Sequence, residues 1–483
     1  MTEATDFYAD IHLHPTLKSF LVKDLQSPWQ STNQVPLSQR LRRSMRITQS
    51  DFSALLEGGV RVIGLSLHSL ERYTLSKLLT SPRLMSQFLR MDLKRLRQIV
   101  ASRPFRILEA EMAFLKENLQ SPDGQAQAVI VKNYDELIQT LASPNKLAII
   151  LSVEGAHNLG FEYVDSVFPH AGQKVNITNI VLEGAEEFSE ALVEERVRYM
   201  KQNHIFMLTL NHFVFNQLAS MPKAVELSGI GKRILHNPIR SLSKLGDYRG
   251  LTFLGYFMVE RCMENNIILD LKHCDAVTRQ QIYSIAARYQ KPVVGSHIAC
   301  SGRRTNFYAH KLLKKAEDTF EDRQKSELFN PWDLNFHDDD IVAIHRLGGL
   351  LGLILDRRVL SSVKAFEQAR KTGNWLQLFF NQIDHIYRVV TEAGFPPQTA
   401  FDSICIGSDF DGFIEPIPNV THAAEFRYRP ERDGHTLRLD NGLVDYFTRN
   451  YARYQASGLS PETIKNKILR DNVMAFLKKN FHS

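Results

Sequence analysis

Eight short apolar runs, most of them rich in branched residues, recur along this 483-residue chain with helical patterns between them. They begin with Phe7-Tyr8-Ala9-Asp10-Ile11-His12-Leu13-His14 and continue as Val60–Leu67, Leu147–Val153, Ile205–Leu210, Ile267–Leu271, Val293–Gly295, Leu350–Asp356 and Ile404–Ser408. Between them, three- and four-residue apolar spacing predicts helices over Leu84–Val100, Glu186–Gln202, Gly250–Asn265, Val277–Tyr289, Asp340–Leu347 and Trp375–Ala393. Strands that are apolar on both faces belong to a parallel sheet covered by helices on either side. Eight of them close a (β/α)8 TIM barrel, so the expected α/β architecture is one barrel domain over residues 1–483, although length alone would suggest two or three domains. The stretches 15–46, 305–338 and 414–441 are too long for minimal βα turns and are expected as loops shaping the mouth at the C-terminal face.

The expected strands share a second property, which is the kind of residue at their ends. His12 and His14 lie two apart and so share one side of an extended segment. Glu154, His212, His273, His297 and Asp409 each follow a later apolar run. A lone His-x-His is more often a pair of satisfied polar groups than a metal site. The recurrence of imidazoles and carboxylates at one end of successive barrel strands reverses those odds, because that end is where a TIM barrel gathers its chemistry.

Composition removes several other functions. The hydrophobic fraction of 43% and charged fraction of 23% suit a soluble protein with a large core. A net charge of +6 without a long basic block gives little support to nucleic-acid or membrane partners. No apolar stretch reaches spanning length, and the polar, acidic Met1–Asp6 leads to the expectation that no signal peptide precedes the fold. Cys262, Cys274, Cys300 and Cys405 lack paired-ligand spacing and lie in or beside apolar runs, which suits buried thiols in a reducing, cytoplasmic setting.

Glu154-Gly155-Ala156-His157, Gly295-Ser296-His297 and Gly407-Ser408-Asp409-Phe410-Asp411-Gly412, in that order, resemble the membrane dipeptidase (renal dipeptidase) family of zinc peptidases in the amidohydrolase superfamily. The resemblance takes in nearly the whole chain, including Leu55-Leu56-Glu57-Gly58-Gly59-Val60, Leu208-Thr209-Leu210-Asn211-His212, Gly302-Arg303-Arg304-Thr305-Asn306 and Asp471-Asn472. It implies two zinc ions, one on His12 and His14 and one on His273 and His297, bridged by Glu154. It also implies a substrate-binding role for His212, a substrate-carboxylate clamp at Arg304 with Arg303 adjacent, a catalytic Asp409, and a homodimer. Where the family has His-x-Asp, this chain has His12-Leu13-His14. Histidine is an ordinary zinc ligand, so metal binding survives that change.

The chemistry that follows is hydrolysis of a small dipeptide, including one with a D-residue at its C-terminal side as relatives accept, by a metal-bridging hydroxide. Two zinc ions about 3.5 to 4 Å apart lower the pKa of a shared water toward about 7. Asp409 would take the proton and pass it to the departing amine, and His212 would stabilise the oxyanion. Asp411 is expected as a turn acid and His157 as a structural or orienting residue, while nothing gives His68 a role. Two alternatives stand beside this reading: an amidohydrolase for another small amide such as an N-acyl amino acid, and a non-catalytic metal-containing binding protein. Asp409 argues against the second, since a structural metal has no use for a proton shuttle.

Overall fold

The apolar runs become nine parallel strands in the computed structural model, which describes residues 7–21, 27–31, 48–70, 94, 102–161, 189–213, 216–220, 222, 250–304 and 323–482. They are β1 (Tyr8–Leu13), β2 (Val60–Leu67), β3 (Gln127–Ile130), β4 (Lys146–Glu154), β5 (Ile205–Thr209), β6 (Ile268–Asp270), β7 (Val293–Ile298), β8 (Leu351–Leu353) and β9 (Ile404–Ile406). Eight of these form the wall in the order β1-β2-β4-β5-β6-β7-β8-β9. The last strand meets the first through a parallel bridge between Leu13 and Phe410, with His14 N–H on Phe410 O at 2.8 Å and Asp409 N–H on His12 O at 3.0 Å. The expected (β/α)8 barrel is therefore present.

β3 was not anticipated. It pairs with the first half of β4, from Gln127 against Lys146 to Ile130 against Ile149, whereas β5 takes over from Leu151 onward. Its four residues are mostly half-buried and carry no sustained apolar run, so periodicity had nothing to detect. The helices Pro104–Glu117 and Tyr134–Leu141 flank it. The helix expected over Leu84–Val100 lies outside the described residues.

The remaining expected helices form within a few residues of their predicted bounds, as Glu190–Gln202, Phe253–Glu264, Ala276–Tyr289, Asp338–Arg346 and Leu376–Glu392. Side-chain caps set where several begin. Ser189, Thr252 and Asp275 each accept the N–H three residues on, satisfying a donor that has no partner within the helix. Asp275 does so two residues past His273, so the chain turns back immediately after presenting that ring.

The expected mouth loops are more structured than their composition implies. Pro15–Leu21 is a fully buried helix with Pro15 at its first position, where a missing N–H costs nothing. Of the other two, 305–322 lies outside the described residues, and 414–441 buries Ile417, Val420 and Phe426 around a short helix at Pro430–Asp433.

Strand side chains sort by parity. Ile63, Leu65, Ile149, Leu151 and Leu269 join the large cluster shared with the surrounding helices. Val62, Ala148, Ile150, Ile268 and Val294 belong to a second cluster with Phe206 and with Val473, Phe476 and Leu477 of the helix Asn472–Asn480. Along that inner row the residues turn polar toward the C-terminal end: Ala148, Ile150, Ser152, Glu154 on β4, and Ile268, Asp270, Lys272 on and after β6. The barrel thus has an apolar floor and a polar mouth. All four cysteines are buried free thiols, and no helix among the described residues is long and apolar enough to cross a membrane.

Candidate metal centre

Glu154, the last residue of β4, stands between two pairs of imidazoles. His12 Nε2 lies 3.2 Å from His14 Nε2, and His273 Nε2 lies 3.1 Å from His297 Nε2. One carboxylate oxygen, Oε1, is 3.2 Å from His273 Nε2 and 3.5 Å from His297 Nε2. The other, Oε2, is 3.3 Å from His14 Nε2, while His12 Nε2 is 3.6 Å from Oε1. All five side chains are buried. The structure brings the five expected ligands together from the ends of β1, β4, β6 and β7, and also sets the His12 ring 3.9 Å from that of His297, across the two expected pairs.

Two ring nitrogens cannot turn lone pairs on each other at such distances without a proton or a cation between them. Four Nε2 atoms and a carboxylate in that arrangement suit a divalent metal with nitrogen and oxygen preference. His12, Glu154 and His297 are one group close enough to share an ion, and His12, His14 and Asp409 are another. The outer nitrogen of His14 suits this use, since Nδ1 sits 3.0 Å from Ser66 O and is thereby held as the N–H, leaving Nε2 to the centre. His273 differs, because its buried Nδ1 has no hydrogen-bond partner among the described residues.

Burial and charge act in opposite directions here. Burial opposes ionisation of Glu154, but His212, His12 and hydrogen bonds from His14 and His273 outweigh it and hold the carboxyl well below the usual range. Burial pushes His12 and His297 well down and His273 down to about 3. Burial would also lower His14, yet its hydrogen bonds to Asp409 and Glu154 prevail and raise it to about 10. Of the four rings, His14 is thus the one whose surroundings favour the protonated form.

Asp409 follows β9 and places Oδ1 3.5 Å from His14 Nε2 and 4.0 Å from His12 Nε2, with a small part of its side chain open to the mouth. Burial raises it to about 6. Its backbone is left-handed at φ 60°, as are Asp411 at 68° and Phe413 at 61°. Gly412 permits this turn, since a Cβ there would lie 2.0 Å from Asp409 Oδ1. Asp411 is more than the turn acid expected: its carboxylate accepts Gln49 N–H, Ser50 N–H at 2.8 Å and Ser50 Oγ–H at 2.6 Å, and pairs with buried Lys18 at 2.8 Å. It ties the Asp409 turn to the chain entering the helix Phe52–Glu57.

His212, three residues past β5, has Nε2 4.0 Å from Glu154 Oε2 and packs edge-on to His273 with centroids 4.7 Å apart. His68, left without a role by sequence, follows β2 with Nδ1 3.1 Å from Glu154 O and 3.6 Å from Glu154 Oε2, and its ring lies 4.3 Å from that of His212. His68, Glu154 and His212 form a third group close enough to share an ion. The position of His68 after an apolar strand was the available signal. His157 points its Nε2 to Ser69 O at 2.9 Å, in keeping with a structural part. Arg304 is exposed and lies in the field of Asp338, at the rim beyond β7.

No family model and no curated protein matches the sequence. Among solved structures, dipeptidase AC, a metallopeptidase, matches with a TM-score of 0.58 at 12% identity, covering 99% of this chain and 100% of that one. A metallopeptidase from Rhodobacter sphaeroides, liganded with a phosphinate mimic of the dipeptide L-Ala-D-Ala, matches with a TM-score of 0.53 at 12% identity over 98% of this chain and 99% of that one. At such identity these likenesses show a shared fold along the full length.

Proposed function

We propose that this chain belongs to the membrane dipeptidase family and is a binuclear zinc dipeptidase that cleaves the amide bond of small dipeptides. The observation that carries the reading is the placement of Glu154 between two facing Nε2 pairs, with Asp409 beside one of them. The motif order in sequence and the whole-chain fold likeness to two metallopeptidases support it. Zinc held there supplies Lewis acidity and a water acidified toward neutrality.

This chain's own residues do the rest. Asp409 Oδ1 faces the His12 and His14 nitrogens from the open side, where it takes a proton from the attacking water and returns it to the departing amine. Its rise to about 6 keeps it ionised at neutral pH yet basic enough to accept. His212, close to Glu154 but partly open to the mouth, is placed to donate to the oxygen that becomes negative. Arg304 at the rim would hold the free carboxylate of the substrate by its guanidinium fork, with Arg303 its neighbour in sequence. A D-residue at the C-terminal side is proposed as acceptable, in line with the mimic bound by the Rhodobacter sphaeroides protein.

The deciding experiment assays zinc-loaded protein on L,L- and L,D-dipeptides, their C-terminal amides and N-acyl amino acids. Turnover of dipeptides with neglect of the amides supports the proposal. Preference for N-acyl amino acids would move the activity to another small amide, and no turnover of any class would leave a metal-containing binding protein. Arg304→Met is expected to raise KM for free-carboxylate dipeptides by about tenfold or more, in keeping with loss of a charge-assisted pair; an unchanged KM removes the clamp from Arg304.

A further inference from the structure

Beneath the metal centre one hydroxyl touches a histidine of each pair. Ser296 Oγ, on the inner row of β7, lies 3.1 Å from His12 Nδ1 and 2.8 Å from His297 Nδ1. It also lies 2.6 Å from Asp270 Oδ2. A serine hydroxyl has one proton and two acceptor lone pairs, so three close partners use all that it has. Asp270 is an acceptor in every other contact it makes here: Oδ1 takes Ser296 N–H at 2.8 Å and Lys272 N–H at 3.1 Å, and Oδ2 takes Thr209 Oγ1–H at 2.6 Å. The carboxylate takes the Ser296 proton as its fourth donor. Both imidazoles must then donate to Oγ, and each is held as the Nδ1–H form with its lone pair on Nε2, the atom aimed at the centre.

We propose that Ser296 is a positioning residue that sets the tautomer of His12 and of His297, one ligand from each histidine pair, through a single hydroxyl whose own proton is committed to Asp270. The inference rests on the two-metal reading only for its consequence, since the tautomers belong to the protein itself. The hydroxyl has no freedom to drift. A Cβ built on Gly352 or Gly407 would come within 2.0 or 1.6 Å of Ser296 O, so the neighbouring strand β8 and the residue after β9 close directly on this backbone. His14 is served separately, by Ser66 O. The arrangement therefore couples the two metal positions through one side chain outside both of them.

The test uses full-length protein and two readouts. In metal-stripped protein carrying isotope-labelled histidine, long-range proton–nitrogen spectra at neutral pH distinguish Nδ1–H from Nε2–H rings, and the loss of signals in His12→Asn and His297→Asn assigns them. Both rings are expected as Nδ1–H in wild type and in Ser296→Thr, and as mixtures in Ser296→Ala. Zinc titration against a competing chelator is the second readout: Ser296→Ala should weaken both bound ions by about 10- to 100-fold, with Ser296→Thr restoring them. Ser296→Cys, of nearly the same volume, is expected to behave as Ser296→Ala and serves if the alanine variant does not fold. Unchanged tautomers in the Ala and Cys variants, or weakening of only one ion, would overturn the proposal. Wild type binding fewer than two zinc ions would instead overturn the binuclear reading, and the spectra would still decide the tautomers.

Discussion

The floor and the mouth of the barrel interior are built from the same strands and differ in almost every physical respect. At the floor Ile150, Phe206, Val294 and Phe476 pack in one apolar cluster, with the Asp10 side chain at its edge, and Phe206 meets Phe481 at 4.7 Å in an edge-to-face contact. Four residues further along β4 the same inner row ends in Glu154 among four imidazoles, and the neighbouring chain holds non-glycine residues at positive φ, His273 at 63° and Asp409 at 60°. The difference teaches where each half's mutations should register. The floor supplies stability and is indifferent to chemistry, while the mouth holds buried charge and strained backbone that the floor and the helices must support.

The largest expected effect lies at the mouth. Asp409→Asn should lower kcat by about 10² to 10⁴, the range of a lost general acid–base, with bound metal near normal and thermal stability unchanged or higher. Full turnover in that variant would take the proton role away from Asp409. The matching change at the floor is Phe476→Ala, expected to cost about 3 to 5 kcal/mol of unfolding free energy in denaturant titrations while leaving kcat of the folded protein as it was. If kcat falls in parallel with stability, the two halves are not independent and the contrast fails.

A smaller effect sharpens the contrast through pH. Glu111, buried on the helix Pro104–Glu117 behind the mouth, accepts Thr16 Oγ1–H at 2.6 Å and His68 N–H at 3.1 Å, and burial pushes it up to about 7. In the folded state it keeps a proton that the unfolded chain, at its ordinary value of 4.5, has already released. Raising pH between about 4.5 and 7 therefore favours unfolding. Glu111→Gln, which mimics the protonated acid, should reduce that slope in metal-stripped protein by roughly one proton. An identical slope would mean that Glu111 ionises normally.

The smallest expected signal is a proton count. His14, raised to about 10, carries a proton on the nitrogen a metal would need, so zinc uptake at neutral pH should release it. Calorimetric titration in buffers of different ionisation heat measures the release. His14→Asp should release fewer protons, and equal release would place the cluster's proton elsewhere.

Much of this mouth was legible in the sequence, for a reason that can be stated residue by residue. His12, Glu154, His297 and Asp409 all end or follow apolar runs, and a parallel barrel brings such positions to one place whatever the distance between them along the chain. Ser296 and Asp270 were not legible as a pair. Their meaning comes from β6 and β7 pairing while His12 of β1 reaches them across the barrel interior, and a serine before a histidine has no periodicity to announce it. His68 failed for the same reason, since its contact with Glu154 exists only once β2 pairs with β4. The strand β3 escaped because four half-buried residues make too weak a pattern. The helix inside the expected loop 15–46 escaped because a proline and a lysine masked seven buried residues.

The turn after β9 has a consequence for anyone who would stabilise this protein. Asp409, Asp411 and Phe413 each hold a left-handed backbone that costs an L-residue of order 1 kcal/mol or more, and the anchors of Asp411, the Arg358 guanidinium on Phe413 O and the backbone bonds to β1 keep the turn in place. A library selected for heat resistance alone would find its easiest gains here, by placing glycine or asparagine at 409 and 413, since the Asp411 carboxylate is itself an anchor of the turn. Substitution at 409 would give hardy, inert proteins, whereas 413 carries no assigned chemistry and offers the gain without that loss. Durability and turnover thus compete at one residue of this turn and part company four residues later.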